Sequence, residues 1–179
     1  VAVQRRDGLN SVAAVWPGYV DRIMGIAVDV GSTTIAGHLI DLATGEVLST
    51  AGQMNPQIRF GEDLMSRVSY VMMNPGGEVE LTKAVRTALN DIATELCESA
   101  RVERTHIVDV TIVGNPIMHH LVLGLDPTPL GQSPFPLSIE GPFAAPAAHV
   151  ELDLPNAMLY VAPCIAGHAG ADTAAAILN

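Results

Sequence analysis

From Met24 onward the chain alternates apolar and small or polar positions. Ile26, Val28 and Val30 are interleaved with Ala27 and Asp29, the period of a pleated strand. A second alternation runs from about Thr34 to Asp41, with Ile35 and Leu39 on one face. Ala43-Thr44-Gly45 is a turn signal, and Glu46 to Met54 returns as a third strand. The joints leave no room for a helix, so the three strands are predicted to be antiparallel neighbours. After Asn55-Pro56 the period changes. Leu64, Met65, Val68, Val71 and Met72 predict one face of a short helix, closed by Asn74-Pro75-Gly76-Gly77. A second helix carries Leu81, Ala84, Val85, Ala88, Leu89, Ile92 and Leu96 on one stripe, leaving Lys83, Arg86, Asn90 and Glu95 outside. Ile107 to Val113 reads as a fourth strand. Asn115 and Pro116 then supply the N-cap and first position of a helix to about Leu123. Gly124 to Pro155 holds seven of the twelve prolines and is expected to be extended and irregular, with a short strand near Leu137–Ile139. Met158 to Ala162 is a fifth strand, and a helix runs from near His168 to the end. Residues 1–22 show no clear period and include Pro17 and Gly18, so they read as a linker or the tail of an upstream domain; residues 23–179 read as one domain of order βββααβαβα.

Composition narrows the function more than the fold. Of the 179 residues 49% are hydrophobic but only 4% aromatic, so the core must be Val, Ile, Leu, Ala and Met. A net charge of −10 without any basic patch excludes a nucleic-acid or anionic-membrane surface, which clustered Lys and Arg would have to hold. There is no apolar run of about 18 residues to span a membrane and no recognisable signal peptide. A start at Val1 and a stop inside the helical run "AAAILN" read as a fragment of a longer protein. Cys97 and Cys164 are too few for an iron–sulfur or structural zinc site and are expected to be simply buried, which suits a cytoplasmic location.

Against that background Asp29-Val30-Gly31-Ser32-Thr33-Thr34 stands out, because it places an acid, a glycine and three hydroxyls between two hydrophobic strands. Gly31 lets backbone approach a ligand, the N–H groups from Gly31 to Thr33 can share one concavity, and the hydroxyls add donors for phosphate. Asp29 at the strand end suits Mg²⁺ held through its water shell. A bland hairpin turn with solvated hydroxyls uses the same residue types. A Walker loop is excluded, since G-x-x-x-x-G-K-[ST] is missing and a strand follows instead of a helix.

An acid–glycine–hydroxyl turn between the first two strands of a βββαβα unit resembles the phosphate-1 arrangement of the acetate and sugar kinase, Hsp70 and actin superfamily. Four blocks in order, "VDVGSTT", "NPQIRFGEDLMSRVSY", "IVGNPIMHHLVLGLDPTPLGQSPF" and "APCIAGHAGADTAAAIL", narrow this. From Met24 to Leu178 the chain resembles the actin-like ATPase domain of the reductive activators of corrinoid proteins. The resemblance implies an α/β, RNase H-like lobe with a mixed five-stranded sheet and helices on both faces, ending in a connecting helix. It implies ATP and Mg²⁺ as ligands, a [2Fe-2S] cluster in an N-terminal domain of the parent protein but not in this chain, and a corrinoid protein of a methyltransferase system as partner. ATP would drive the uphill one-electron reduction of cob(II)alamin to cob(I)alamin. No nucleic acid or membrane partner is implied, and a homodimer is left open.

By position, Asp29 resembles the family's magnesium-side carboxylate, and Gly31, Ser32, Thr33 and Thr34 resemble its turn around the β- and γ-phosphates. Gly170 to Ala174 resembles the connecting helix, with Asp172 one position from the acid that orients the attacking water; Asp29 and Asp172 are therefore the catalytic candidates, and Gly170 joins the cofactor-binding set. The second phosphate motif, the adenosine segment and the second connecting helix are not in this chain. Phosphoryl transfer needs electrostatic clamping from both sides, so this lobe by itself is expected to bind nucleotide weakly and turn over little. Two other functions remain open at this point: a small-molecule kinase of the same superfamily, and a non-catalytic module that docks the corrinoid protein.

His119-His120 invites a metal reading, but adjacent helical residues point about 100° apart; one packed and one surface histidine is expected. His168 lies beside the connecting helix and is a candidate to face the nucleotide. Glu62 and Asp63 are expected in the first turn of a helix, where its dipole favours acids. "NPQIRFGEDLMSR" and the Pro-rich segment are candidate contact surfaces for a second lobe or a partner.

Overall fold

The structure, a computed structural model, describes residues 1–6 and 8–178; Asp7 and Asn179, the last residue of the terminal helical run, lie outside the described residues. The first 22 residues contain two strands, β1 (Ala2–Arg6) and β2 (Leu9–Ala14), paired antiparallel. Their inward positions are Ala2 and Ala14, packed on Val108, while Val3 and Val12 face out. With valines outside and alanines inside, no apolar stripe marked these strands. Gln4 Nε2 donates to Asp109 (2.8 Å) and Trp16 Nε1 to the Thr105 carbonyl (3.0 Å), fixing the hairpin to the larger sheet.

That sheet opens with β3 (Met24–Val30), β4 (Thr34–Asp41) and β5 (Val47–Met54), an antiparallel meander as the alternation required. Two helices follow, α1 (Leu64–Met73) and α2 (Gly77–Ala100), then β6 (Ile107–Gly114), parallel to β3. Next come α3 (Pro116–Leu123), β7 (Phe143–Pro146), β8 (Met158–Val161) and α4 (Ala171–Leu178). The strand order is β5-β4-β3-β6-β8-β7. The sheet therefore has six strands, not five. The extra one, β7, pairs antiparallel with β8 at the edge and replaces the short strand expected near Leu137–Ile139.

The two faces of this sheet differ. Ile26, Val28, Val30, Ile35, Leu39, Val110, Ile112, Leu159 and Val161 point to one side and are all buried. The α2 stripe from Leu81 to Leu96 packs on the β4–β5 part of this face and α3 on β6, each buried Val, Leu or Ile contributing about 1.5–3 kcal/mol by leaving water. Helix and sheet meet at Gly37, where a Cβ would stand 2.7 Å from Ile92 Cγ2. On the other face Ala27, Asp29, Ala36, His38, Thr111 and Val113 are only partly covered, by α4. A meander joined by a helical pair to parallel strands, with helices on both faces, is an α/β lobe of RNase H-like topology.

Three local expectations change. Helix α1 begins after the acids: Asp63 is its N-cap, accepting from the Ser66 amide (2.7 Å) in a capping box, and no acid lies in the first turn. Its inward face holds Arg67, Val68 and Val71, while Met65 and Met72 are exposed. In α3, capped as expected by Asn115, both His119 and His120 are buried, since the whole helix from Pro116 to Val122 is enclosed.

Candidate functional site

Strand β3 ends at Val30 and the chain reverses through Ser32-Thr33, with the Gly31 amide donating to the Thr34 carbonyl (3.1 Å). A Cβ on Gly31 would lie 2.6 Å from that same oxygen, so only glycine fits the reversal. All three carbonyls of the turn are tied to the interior. Gly31 C=O accepts from Asn55 Nδ2 (2.8 Å), Ser32 C=O from Arg67 Nη2, and Thr33 C=O from the Asn55 amide (2.7 Å). In a trans peptide the C=O and the following N–H point opposite ways, so the Ser32 and Thr33 amides are turned to the outer side. Among the described residues the Ser32 and Thr33 amides have no protein acceptor. The Thr33 and Thr34 side chains are exposed there.

Behind the turn lies a buried polar cluster. Asn55 Oδ1 accepts from the Gln57 amide (3.0 Å), and Gln57 Nε2 donates to Leu81 C=O (2.9 Å). Arg67 donates from Nε to Gly61 C=O (3.0 Å) and from Nη1 to Gln57 Oε1 (3.2 Å), with Met118 Sδ at 3.6 Å. Asn55, Gln57 and Arg67 are each 0% exposed. The motif holding them was legible as a motif; their role was not, because a charged residue on the second turn of an amphipathic helix is ordinarily on its wet side.

Asp29 points to the open face of the sheet. Together with Asp172, at the start of α4, it lines a cavity of about 590 Å³ whose walls include Ala36, His38, Thr111 and Val113. Partial burial, and secondarily the Asp172 charge, push the Asp29 carboxyl above its ordinary range. Among the described residues no group of three or more His, Cys, Asp or Glu is gathered to hold a metal. Two carboxylates beside outward amides and hydroxyls suit a cation that keeps waters and shares phosphate oxygens. The outward turn donors and the Asp29 carboxylate, which no described protein donor reaches, together fit a Mg²⁺-bound polyphosphate.

Asp29 and Asp172 thus share one cavity, and Gly31, Ser32, Thr33 and Thr34 adjoin it at the end of β3. Gly170 does not line it. A Cβ there would meet Gly114 O at 2.4 Å and Asn115 Cα at 2.5 Å, so Gly170 seats the start of α4 against the β6–α3 turn. His168 is exposed in the preceding turn, its ring 6.4 Å from that of Phe135, and is not part of the cavity. His38 is a cavity residue that sequence reading missed; its alternation with Ala36 on β4 carried the signal. His120 is fully engaged: Nδ1 donates to Pro116 C=O (2.8 Å) and Nε2 accepts from the Ser138 amide (3.1 Å). It ties α3 to the Pro-rich segment and is not a free metal ligand. Both cysteines are buried.

A sequence profile described as the RACo middle region matches residues 24–179. The corrinoid activation enzyme RamQ of Eubacterium limosum is 32% identical over 158 residues, covering 88% of this chain and 27% of that protein. A solved structure, the reductive activator for corrinoid, iron-sulfur protein, superposes with a TM-score of 0.91 at 34% identity, covering 98% of this chain and 28% of that one. The chain therefore spans little more than a quarter of the length of these relatives.

Proposed function

The chain belongs to the RACo middle region family, and on that premise we propose that it supplies the phosphate-binding half of an ATP site in a protein that uses ATP to drive the reductive activation of a corrinoid protein. One observation carries this reading: the turn has its Gly31, Ser32 and Thr33 carbonyls bound inward and its Ser32 and Thr33 amides turned outward, beside a carboxylate pair, Asp29 and Asp172, on an open sheet face. Asp29 would hold Mg²⁺ through water; partial burial, and secondarily the Asp172 charge, raise its affinity for protons, and a bound cation would offset both. The Ser32 and Thr33 amides and the three hydroxyls would take phosphate oxygens. Asp172, fixed by the Thr173 amide on its Oδ1 (2.7 Å), would orient water near the terminal phosphate. Mg·ATP supplies the phosphoryl bond whose binding or cleavage drives the change.

Residues 23–179 act in this reading as the first of two lobes, with α4 as the connecting helix. The partner is the corrinoid protein of a methyltransferase system, and the reducing electron comes from a [2Fe-2S] domain outside these residues. A cytoplasmic location accords with that chemistry; among the described residues no helix is long and apolar enough to cross a membrane.

Calorimetry tests the proposal. In a polypeptide of the relatives' full length that carries this chain, Asp29→Asn is expected to weaken Mg·ATP by tenfold or more, about 1.4 kcal/mol. The 179-residue chain alone is expected to bind far more weakly. Mg·ATP affinity unchanged by Asp29→Asn would refute the site.

A further inference from the structure

Arg67 is wholly buried, yet among the described residues it forms no ion pair with a carboxylate. Its donors end on neutral acceptors: the carbonyls of Gly61 and Ser32 and the side-chain oxygen of Gln57. A guanidinium stays protonated under nearly all conditions, so one positive charge sits directly beneath the turn. We propose that Arg67 is the positioning cation of the phosphate turn, acting on bound phosphate through the Ser32–Thr33 peptide, with Asn55 and Gln57 holding the frame. The proposal rests on the phosphate reading of that turn given above.

Two features separate it from a plain structural staple. A staple for three adjacent carbonyls needs only neutral donors, and Asn55 already serves two of them with its amide and Nδ2. Spending a buried charge on the third is costly unless opposite charge arrives to balance it. The contact is also directional. Arg67 donates to Ser32 C=O, and the N–H of the same peptide, on Thr33, points the other way. A cation on the carbonyl polarises the peptide and strengthens the opposite N–H as a donor, as linked hydrogen bonds in a poorly solvated interior reinforce one another. Burial itself favours the neutral form of the guanidinium, and an anion on the far side of the peptide offsets that penalty. The negative charge that best fills the role is a polyphosphate, because it delivers several charges at one point.

The consequence is graded by phosphate number. In the same full-length polypeptide, Arg67→Gln is expected to weaken Mg·ATP by tenfold or more, Mg·ADP by less, and AMP hardly at all. Arg67→Lys, which keeps the charge, should recover part of the Mg·ATP affinity. A merely structural role would lower the three nucleotides equally, or lower the folded fraction and leave affinity alone; either result overturns the proposal. Should Arg67→Gln fail to fold, Gln57→Glu serves instead, since it keeps an acceptor for Arg67 Nη1 and cancels the charge. This change also removes the donor to Leu81 C=O, so its folded fraction is measured first by circular dichroism. It should produce the same graded loss, and undiminished Mg·ATP affinity in it refutes the electrostatic role. If Asp29→Asn abolishes binding while both the Arg67 and Gln57 variants bind as the parent, only the inference about Arg67 falls. If the parent does not bind Mg·ATP, or Asp29→Asn leaves binding intact, the phosphate reading falls and carries this inference with it.

Discussion

His119 makes the stability of this lobe depend on pH in a way that can be calculated in advance. Its side chain is 2% exposed, and neither ring nitrogen has a partner among the described residues. Burial, and secondarily the neighbouring His120, push its pKa from 6.5 down to about 4. The folded state therefore prefers the neutral ring, whereas the unfolded chain takes up the proton near pH 6.5. Stability from this residue is complete above pH 6.5, falls as pH drops through the window from 6.5 to about 4, and is constant again below it. The distance from 6.5 to about 4, at about 1.4 kcal/mol per pH unit, comes to about 3 kcal/mol. Urea unfolding of the wild type and of His119→Leu at pH 7.5 and 4.5 isolates the effect, because the carboxylates titrating in the same range are common to both. The wild type should lose about 2–3 kcal/mol more than the variant between those pH values. His120 is also pushed down by burial, so the variant should keep the acid sensitivity that His120 contributes, which is common to both proteins. Parallel loss in the two proteins would refute the reasoning and mean that His119 finds a solvated or paired state.

Two further outcomes test the packing that positions the site. Gly170→Ala places a Cβ 2.4 Å from the Gly114 carbonyl oxygen, backbone that cannot swing away, so a loss of about 2 kcal/mol is expected, read as a Tm lower by roughly 4–8 °C. Gly37→Ala should cost about 1–2 kcal/mol because its Cβ would meet Ile92 Cγ2 at 2.7 Å. That cost should shrink in an Ile92→Ala background; additive losses in the double-mutant cycle would mean α2 does not cross β4 at this point.

Much of the fold was legible because burial leaves a period in the sequence. The meander β3–β5, the seven-residue stripe of α2 and the Asn115–Pro116 start of α3 all follow from apolar spacing and cap chemistry. The DVGSTT turn was legible too, since acid, glycine and hydroxyls interrupt an alternation that packing alone would have continued. Elements that bury small or polar residues left no such trace. The hairpin β1–β2 buries alanines and exposes valines, and β7 is a short edge strand carrying two alanines in a proline-rich stretch. The first therefore carries no apolar period, and the period near Leu137–Ile139 belongs to no strand.

The sequence by itself determined the strand meander, the covering helix and the polar turn with Asp29, because those depend on neighbours within a few residues. Only the tertiary structure decided which way the turn faces. Its carbonyls are claimed by Asn55 and by Arg67, 24 and 35 residues further along the chain, and Asp172 reaches the Asp29 cavity from the far end of the chain. The physical reason is the same in each case. A buried hydrogen bond or charge is tolerable only when its partner is supplied, and here the partners come from elements that chain spacing does not bring together.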